Sequence, residues 1–282
     1  MTAACDIKLL LSDVDGTLVT RDKVLTEGAR SAAAGLREAG IGLALTSARP
    51  PLGMRMLVEP LDLLLPLAGF NGGLIVDPEF KVLESHPIDP KAAHEAVRLL
   101  RENGLDLWVY TETAWLVTAL DGPHVEREAW IIKMQPEAAS IADADLARAF
   151  KIVGVSDDYA KVAAAESLVQ EQLGETASAT RSAPHFLDIT HPEATKGFVV
   201  RSLSRRLGLP PSQIATIGDM PNDVLMFAES GFSIAMGNAS DAVKARASAV
   251  TDTNEDDGFA KAIHRFLLHS DAASPLKSRS AS

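Results

Sequence analysis

Apolar positions along this 282-residue chain fall into short runs that stop abruptly at polar elbows. The first run, residues 7–11, ends at Ser12-Asp13-Val14-Asp15-Gly16-Thr17. It reads as a strand buried on both faces, the kind found inside a parallel sheet. Residues 26–40 then place Ala29, Ala32, Ala33, Leu36 and Ala39 at helical spacing, with Thr26 as N-cap and Gly40 as stop. Residues 41–45 predict a second strand ending at Thr46-Ser47-Ala48-Arg49, and Pro50-Pro51 suits the first turn of a helix. Residues 63–68 and 73–76 predict two more strands around Phe70-Asn71-Gly72. Strand, helix, strand at these lengths is the rhythm of a parallel sheet.

The rhythm changes near Glu84. A helix is expected over residues 90–103, then a hairpin from residues 105–111 and 114–119, with Trp108, Tyr110 and Trp115 on it as core aromatics. Residues 151–155 read as a strand and 157–173 as a helix capped by Asp157. Residues 176–181 and 185–190 read as a second hairpin. Two hairpins with helices between them predict an antiparallel sheet covered on one face, an α+β module over residues 83–188. It interrupts a first domain made of residues 1–82 and 189–270.

The parallel rhythm then returns. Thr195-Lys196-Gly197 opens a helix that runs to Leu207 and stops at Gly208. Residues 214–217 form a strand ending in Gly218-Asp219-Met220-Pro221-Asn222-Asp223, with a helix over 224–230. A strand over 232–236, a helix over 242–247, an edge strand at 249–251, an acidic turn at 254–257 and a last helix over 258–268 complete the pattern. The Ser/Ala/Lys/Arg-rich tail, residues 271–282, reads as disordered. The expected class is α/β: a doubly wound, mostly parallel Rossmann-like core with an inserted α+β cap.

Composition narrows this picture. A net charge of −11 without a basic stripe argues against a nucleic-acid partner. The single cysteine, Cys5, leaves no internal disulfide and fits a reducing compartment. Residues 1–6 lack the basic region of a signal peptide, and Asp62 and Pro66 break the apolar run 61–70, so no membrane span is expected. A cytoplasmic protein follows.

Four strands thus end in polar elbows: Asp13/Asp15, Ser47, Asn71, and Asp219/Asn222/Asp223. In one parallel sheet these elbows converge at one edge, where open α/β sheets bind ligands. Lys196 opens a helix that could point to the same edge. Carboxylates without histidine or cysteine suit a hard divalent cation, with Mg²⁺ the default. A hydroxyl, a lysine and backbone amides suit a phosphoryl group. Asp13 and Asp15 repel, so one is ionised against a cation and the other can hold a proton near neutral pH. Together these parts describe phosphoryl transfer.

The combination resembles the haloacid-dehalogenase (HAD) superfamily. Asp13-Val14-Asp15-Gly16-Thr17 matches its first motif, Ser47 its second, Lys196 its third, and Gly218-Asp219 with Asn222-Asp223 its fourth. Asn71-Gly72, residues 236–239 and residues 255–258 extend the likeness, and the insertion resembles the large cap of the Cof-type subfamily. One departure is Ser47-Ala48-Arg49, where the family usually has Thr-Gly-Arg. The resemblance implies a phosphatase of a small phosphorylated metabolite, with a sugar phosphate the expected class. In it Asp13 is the nucleophile and Asp15 the acid/base. Asp13, the main-chain carbonyl of Asp15, and Asp219 hold Mg²⁺, with Asp223 in support. Ser47 and Lys196 grip phosphoryl oxygens, and Asn222 contacts substrate. Arg49, Arg181 and His185 are further candidates for substrate contact. A phosphomutase and a non-turnover signalling receiver are the competing readings.

Overall fold

A computed structural model describes residues 6–268; Cys5 and the tail 271–282 lie outside the described residues. The chain opens with β1 (Leu9–Asp13), α1 (Glu27–Glu38), β2 (Gly42–Thr46), α2 (Arg55–Leu61), β3 (Leu67–Gly69), β4 (Leu74–Val76) and β5 (Val82–Ser85). It continues through α3 (Pro90–Glu102), β6 (Asp106–Tyr110), β7 (Trp115–Val117), α4 (Val125–Ile132), β8 (Glu137–Ala138) and α5 (Asp143–Leu146). Then come β9 (Lys151–Val155), α6 (Tyr159–Leu173), β10 (Ser178–Ala183) and β11 (Phe186–Thr190). The last part holds α7 (Lys196–Leu207), β12 (Ile214–Gly218), α8 (Val224–Phe227), β13 (Phe232–Ala235), α9 (Asp241–Lys244), β14 (Ala249–Val250) and α10 (Gly258–Ala262).

Eight strands form one sheet in the order β14-β13-β12-β1-β2-β3-β4-β5. From β14 to β3 all neighbours are parallel. Period-2 alternation explains why both faces are covered. Leu10, Leu43, Leu45 and Ile217 face α1 and α10, where Ala29, Ala32, Leu36 and Phe259 meet them. Leu9, Leu11, Ala44 and Ile214 face the other way, onto Val199, Val200 and Leu203 of α7 and Met226 of α8. Each fully buried leucine contributes about 1.5–3 kcal/mol. The fold is therefore doubly wound around β1, as expected. The caps follow the sequence closely: the Thr26 hydroxyl accepts from Ala29 N, and the Thr195 hydroxyl from Phe198 N. Gly208 ends α7 in the left-handed conformation.

Two expectations need correction here. The strand after Asn71 is not part of the parallel set: β4 runs antiparallel to β3, and β5 antiparallel to β4. The connection, residues 70–73, is too short for a crossover, so only a reversal is open to it. Phe70 and Asn71 take φ of 52° and 57° to make it. Asp157 does not cap α6. Asp158 does, accepting from Lys161 N, while the Asp157 carboxylate pairs with His124 Nε2 at 2.8 Å.

The second sheet has six strands in the order β10-β11-β9-β6-β7-β8. All its pairs are antiparallel except β7–β8. Leu107, Val109, Ile152, Leu187 and Ile189 turn to α3 and α6. The opposite face carries Trp108, Tyr110, Trp115, Val117, Val153 and Val155, which join the apolar cluster of the parallel sheet. The three aromatics are thus core, as expected, but core shared between the two sheets. Strand β5 belongs to the eight-stranded sheet, so residue 83 falls inside a strand of that sheet.

Candidate active site

Strands β12, β1, β2 and β3 are neighbours, so the four elbows open at one edge of the sheet. Asp13 is the last residue of β1 and is 4% exposed. Its carboxylate Oδ1 accepts from Lys196 Nζ at 2.6 Å, and Lys196 Nζ donates equally to Asp223 Oδ1 at 2.6 Å. Lys196 is the first residue of α7 and is fully enclosed, so it is no solvated surface lysine. The second oxygen of Asp223 accepts the backbone N–H groups of Asp219 and Met220, at 2.9 and 2.8 Å. That closes the loop after β12 around one carboxylate. Asp219 is held from two sides: Thr17 Oγ1 donates to its Oδ1 and Asn238 Nδ2 to its Oδ2, at 3.3 and 3.1 Å. Gly16, at φ +82°, brings the backbone so close to Asp219 that a Cβ there would collide with the carboxylate.

The electrostatics follow from this crowding. Burial pushes the Asp13 carboxyl up to about 8, against the pull of Lys196 and with the repulsion of Asp223 and Asp219 adding to it. Burial and the Asp223 charge push Asp219 up to about 6. Lys196 is raised by Asp13 and Asp223, which outweigh its own desolvation, and stays cationic. Three carboxylates therefore share one lysine, and the proton that remains belongs to the cluster rather than to one residue. Carboxylate oxygens of Asp13, Asp219 and Asp223 lie within 4.8 Å of one another. Asp13 Oδ2 is buried with no hydrogen-bond partner. Three carboxylates gathered around a single ammonium, an all-oxygen and net negative donor set, fit a hard divalent cation.

Asp15 has the opposite surroundings. Arg49 grips it as a fork, Nε to Oδ2 and Nη2 to Oδ1, both at 2.6 Å, and Lys23 Nζ adds a bond to Oδ1 at 2.7 Å. Burial alone would raise this carboxyl, but the two cations outweigh it and hold it below the usual carboxylate range. Among the protein's own groups, then, Asp13 is raised and Asp15 is lowered. Arg49 accordingly lies on Asp15.

Ser47 follows β2, one residue past Thr46, which is paired with Asp13. Its hydroxyl accepts from Arg49 N at 3.1 Å, which leaves its own proton to donate. Ala48 is absent from the residues with positive φ, so the departure from glycine there brings no backbone strain. Asn222 Nδ2 donates to Asn71 Oδ1 at 3.0 Å, which ties the β12 and β3 elbows together, and Asn222 Oδ1 is buried and unpartnered. Arg181 and His185 are not brought to this edge. Arg181 is committed to Glu166 at 2.7 Å, and His185 stacks on His124 at 4.0 Å. The sequence reading missed Lys23 and Asn238 as partners of Asp15 and Asp219. Asn238 has a signal, its place in the polar elbow after β13; Lys23, in an ordinary loop, has none.

The chain is similar to known proteins along most of its length. A family model described as haloacid dehalogenase-like hydrolase matches residues 10–263. A putative phosphatase of Haemophilus influenzae is 29% identical over 254 residues, covering 90% of this chain and 95% of that one. Pyridoxal phosphate phosphatase YbhA of Escherichia coli is 28% identical over 271 residues, covering 93% and 99%. The crystal structure of a haloacid dehalogenase-like hydrolase from Bacteroides thetaiotaomicron superposes with a TM-score of 0.85 at 28% identity, over 92% of this chain and 99% of that one.

Proposed function

The chain belongs to the haloacid dehalogenase-like hydrolases, and we propose that it is a cytoplasmic, Mg²⁺-dependent phosphatase of a small phosphorylated metabolite. The observation that carries the mechanism is the asymmetry of Asp13: Oδ1 is fixed by Lys196, while Oδ2 is buried and free of partners. A carboxylate pinned by one oxygen can present the other to phosphorus without rotating. Mg²⁺ would be held by Asp13, Asp219 and the main-chain carbonyl of Asp15, with Asp223 in support, and would neutralise charge on the transferring group. Asp13 Oδ2 attacks phosphorus, the ester bond breaks, and an aspartyl-phosphate forms on Asp13. Lys196 and the Ser47 hydroxyl steady the phosphoryl oxygens. Asp15 takes up a proton from solvent, gives it to the departing ester oxygen, and then takes one from the water that cleaves the aspartyl-phosphate. For that the Arg49 fork must loosen from Asp15. Asn222 and Asn71, tied to each other, border the substrate.

Several relatives are named as phosphatases of small phosphate esters, such as the pyridoxal phosphate phosphatase of Escherichia coli. That supports the substrate class proposed here. The segment between β5 and α7, which carries the six-stranded sheet, acts as the cap in this reading. Among the described residues no helix is long and apolar enough to cross a membrane.

A screen of phosphorylated metabolites for phosphate release tests the activity, and Asp13→Asn tests the mechanism. The amide neither attacks phosphorus nor binds a cation well, so turnover and the phospho-enzyme seen by intact mass should both vanish in a protein that still folds. Retention of a tenth of the wild-type rate would remove Asp13 from the role of nucleophile.

A further inference from the structure

The chain passes from the eight-stranded sheet to the six-stranded sheet after β5 and returns after β11. The first residue of each passage is a histidine, His86 and His191. Backbone bonds fix both. His86 N donates to Gly73 O at 2.7 Å, on the side of the parallel sheet, and Ile88 N donates to Ala149 O at 2.8 Å, on the other side. His191 O accepts from Ala194 N at 3.0 Å, in the turn that leads into α7. The two imidazole centroids are 5.5 Å apart, and the Phe198 ring of α7 stands edge-on to His86 at 4.8 Å. Glu193 completes the group. One ring nitrogen of each histidine and one Glu193 carboxylate oxygen lie within 4.8 Å of one another. Among the described residues, only this group and the cluster of Asp13, Asp219 and Asp223 bring three such ligand atoms together.

Each ring is set to offer a lone pair. His86 Nε2 faces Glu84 Oε1 at 3.4 Å. Burial alone would raise the Glu84 carboxyl, but its bonds to Ser202 and His86 outweigh it, so Glu84 is an anion that only accepts. The His86 proton therefore belongs on Nε2, which leaves Nδ1 to ligate. A carboxylate behind the ring is the usual support of a metal-bound histidine. His191 Nδ1 accepts from Glu193 N at 3.1 Å, so that nitrogen is unprotonated as well. Burial, then the neighbouring His86, pulls the His191 ring below its ordinary value and favours the neutral form a metal needs. The cations on this side are on α7. Arg201 is paired with Glu229 at 2.6 Å, and Arg205 and Arg206 face Glu84 at 3.8 and 4.0 Å.

We infer that His86, His191 and Glu193 form a binding site for a transition-metal dication, zinc in particular, which ties the two passages between the sheets together. Two imidazoles and a carboxylate suit zinc, held tetrahedrally with water in the fourth place. Donor chemistry separates the two clusters. Oxygen alone serves Mg²⁺ at the catalytic edge, whereas nitrogen with oxygen serves zinc here. Zinc bonds of about 2.0–2.2 Å hold tetrahedral donors about 3.3–3.5 Å apart, and rotation of the exposed Glu193 side chain closes the difference. The two histidines are far apart in sequence, so no ligand spacing announces them. A metal on both would close the chain from 86 to 191 into a loop at its neck, and clips that close long loops stabilise the folded state. The inference stands apart from the phosphatase reading, since binding is read without turnover.

The test is a calorimetric titration of Zn²⁺ into the full chain in excess Mg²⁺, with melting curves alongside. Asp219→Asn, which weakens the oxygen cluster, provides a second background. Wild type should bind a zinc that Asp219→Asn retains. At about a hundred times its dissociation constant that zinc should raise the melting temperature by roughly 5–10 °C. His86→Gln and His191→Gln should each lose this zinc and this rise. Glu84→Gln keeps all three ligands and should weaken binding about tenfold. Co²⁺ in place of zinc adds a readout that a folding defect does not mimic. Contact-shifted imidazole N–H resonances should appear in wild type, persist in Asp219→Asn and disappear in both histidine variants. No zinc bound by wild type, zinc binding unmoved in both histidine variants, or zinc lost with Asp219→Asn but not with them would overturn the site.

Discussion

Replacing Lys196 by methionine keeps the length of the side chain and deletes the one cation among three carboxylates. The structure fixes what should follow. Lys196 Nζ sits 2.6 Å from both Asp13 Oδ1 and Asp223 Oδ1, and the three side chains are 2, 6 and 0% exposed. Removing one partner of a buried ion pair typically costs about 3–5 kcal/mol, because the remaining charge is left uncompensated. Asp223 keeps two backbone N–H donors, whereas Asp13 keeps none, so the burden falls on Asp13. For a protein of this size such a loss is a drop of roughly 6–20 °C in melting temperature, at about 2–4 °C per kcal/mol. The loss must also depend on pH. Asp13 in the folded protein is raised to about 8 from an ordinary 3.8, so the folded state holds a proton that the unfolded chain has released. Stability contributed by this group therefore falls as pH rises across that window. Without Lys196 the folded carboxyl rises further, and the fall continues to higher pH. The gap between Lys196→Met and wild type should be small at pH 5, where a proton substitutes for the ammonium, and wide at pH 8.5. Thermal melts in chelator at the two pH values read this directly. A variant within 2 °C of wild type at pH 8.5, or a gap that closes as pH rises, would refute the counter-charge reasoning.

Two further substitutions probe neighbouring parts. Arg49→Ala deletes the fork that depresses Asp15, so the alkaline limb of kcat/KM for an alkyl phosphate, which needs protonated Asp15, should move to higher pH; an unmoved limb in an active variant would mean another group donates the proton. Gly16→Ala places a Cβ against the Asp219 carboxylate at a left-handed φ, so it should cost about 1–2 kcal/mol of stability and weaken Mg²⁺ binding in a calorimetric titration; unchanged affinity would separate Asp219 from the cation.

What the sequence disclosed follows from the range of the interactions involved. Strand β1, the Thr195 cap and the Gly208 stop are written in adjacent residues, and the convergence of Asp13, Lys196, Asp219 and Asp223 follows once their strands share a sheet. The direction of β4 was not legible from apolar content, which is the same for both senses; only the short connection, residues 70–73, decides it. Residues 120–150 yielded no element, yet they hold α4, β8 and α5. Helix α4 is flanked by His124 and Lys133, both in left-handed conformations without a side-chain cap, so apart from the acidic first turn of Glu126 and Glu128 it lacks the usual boundary signals. Lys23 and Arg49 on Asp15 are tertiary choices, and nothing in the spacing of 8 and 34 residues prefers them over solvent.

The two aspartates of the first elbow show how far position alone specifies chemistry. They are two residues apart on one loop, and their surroundings push them in opposite directions: Asp13 among carboxylates, Asp15 between an arginine and a lysine. Residue type and order identify the pair, but the state of each is set by side chains from the elbows after β2 and β12, from α7, and from Lys23 in the loop before α1. A cation at Asp13 and Asp219 would offset the crowding that raises them. A phosphate ester would offer the Arg49 fork a second anion to grip, with the same planar match as a carboxylate. Each ligand would thus relieve one side of the asymmetry, and the two aspartates would exchange character in the order the reaction needs: Asp13 bare to attack, then Asp15 free to carry the proton.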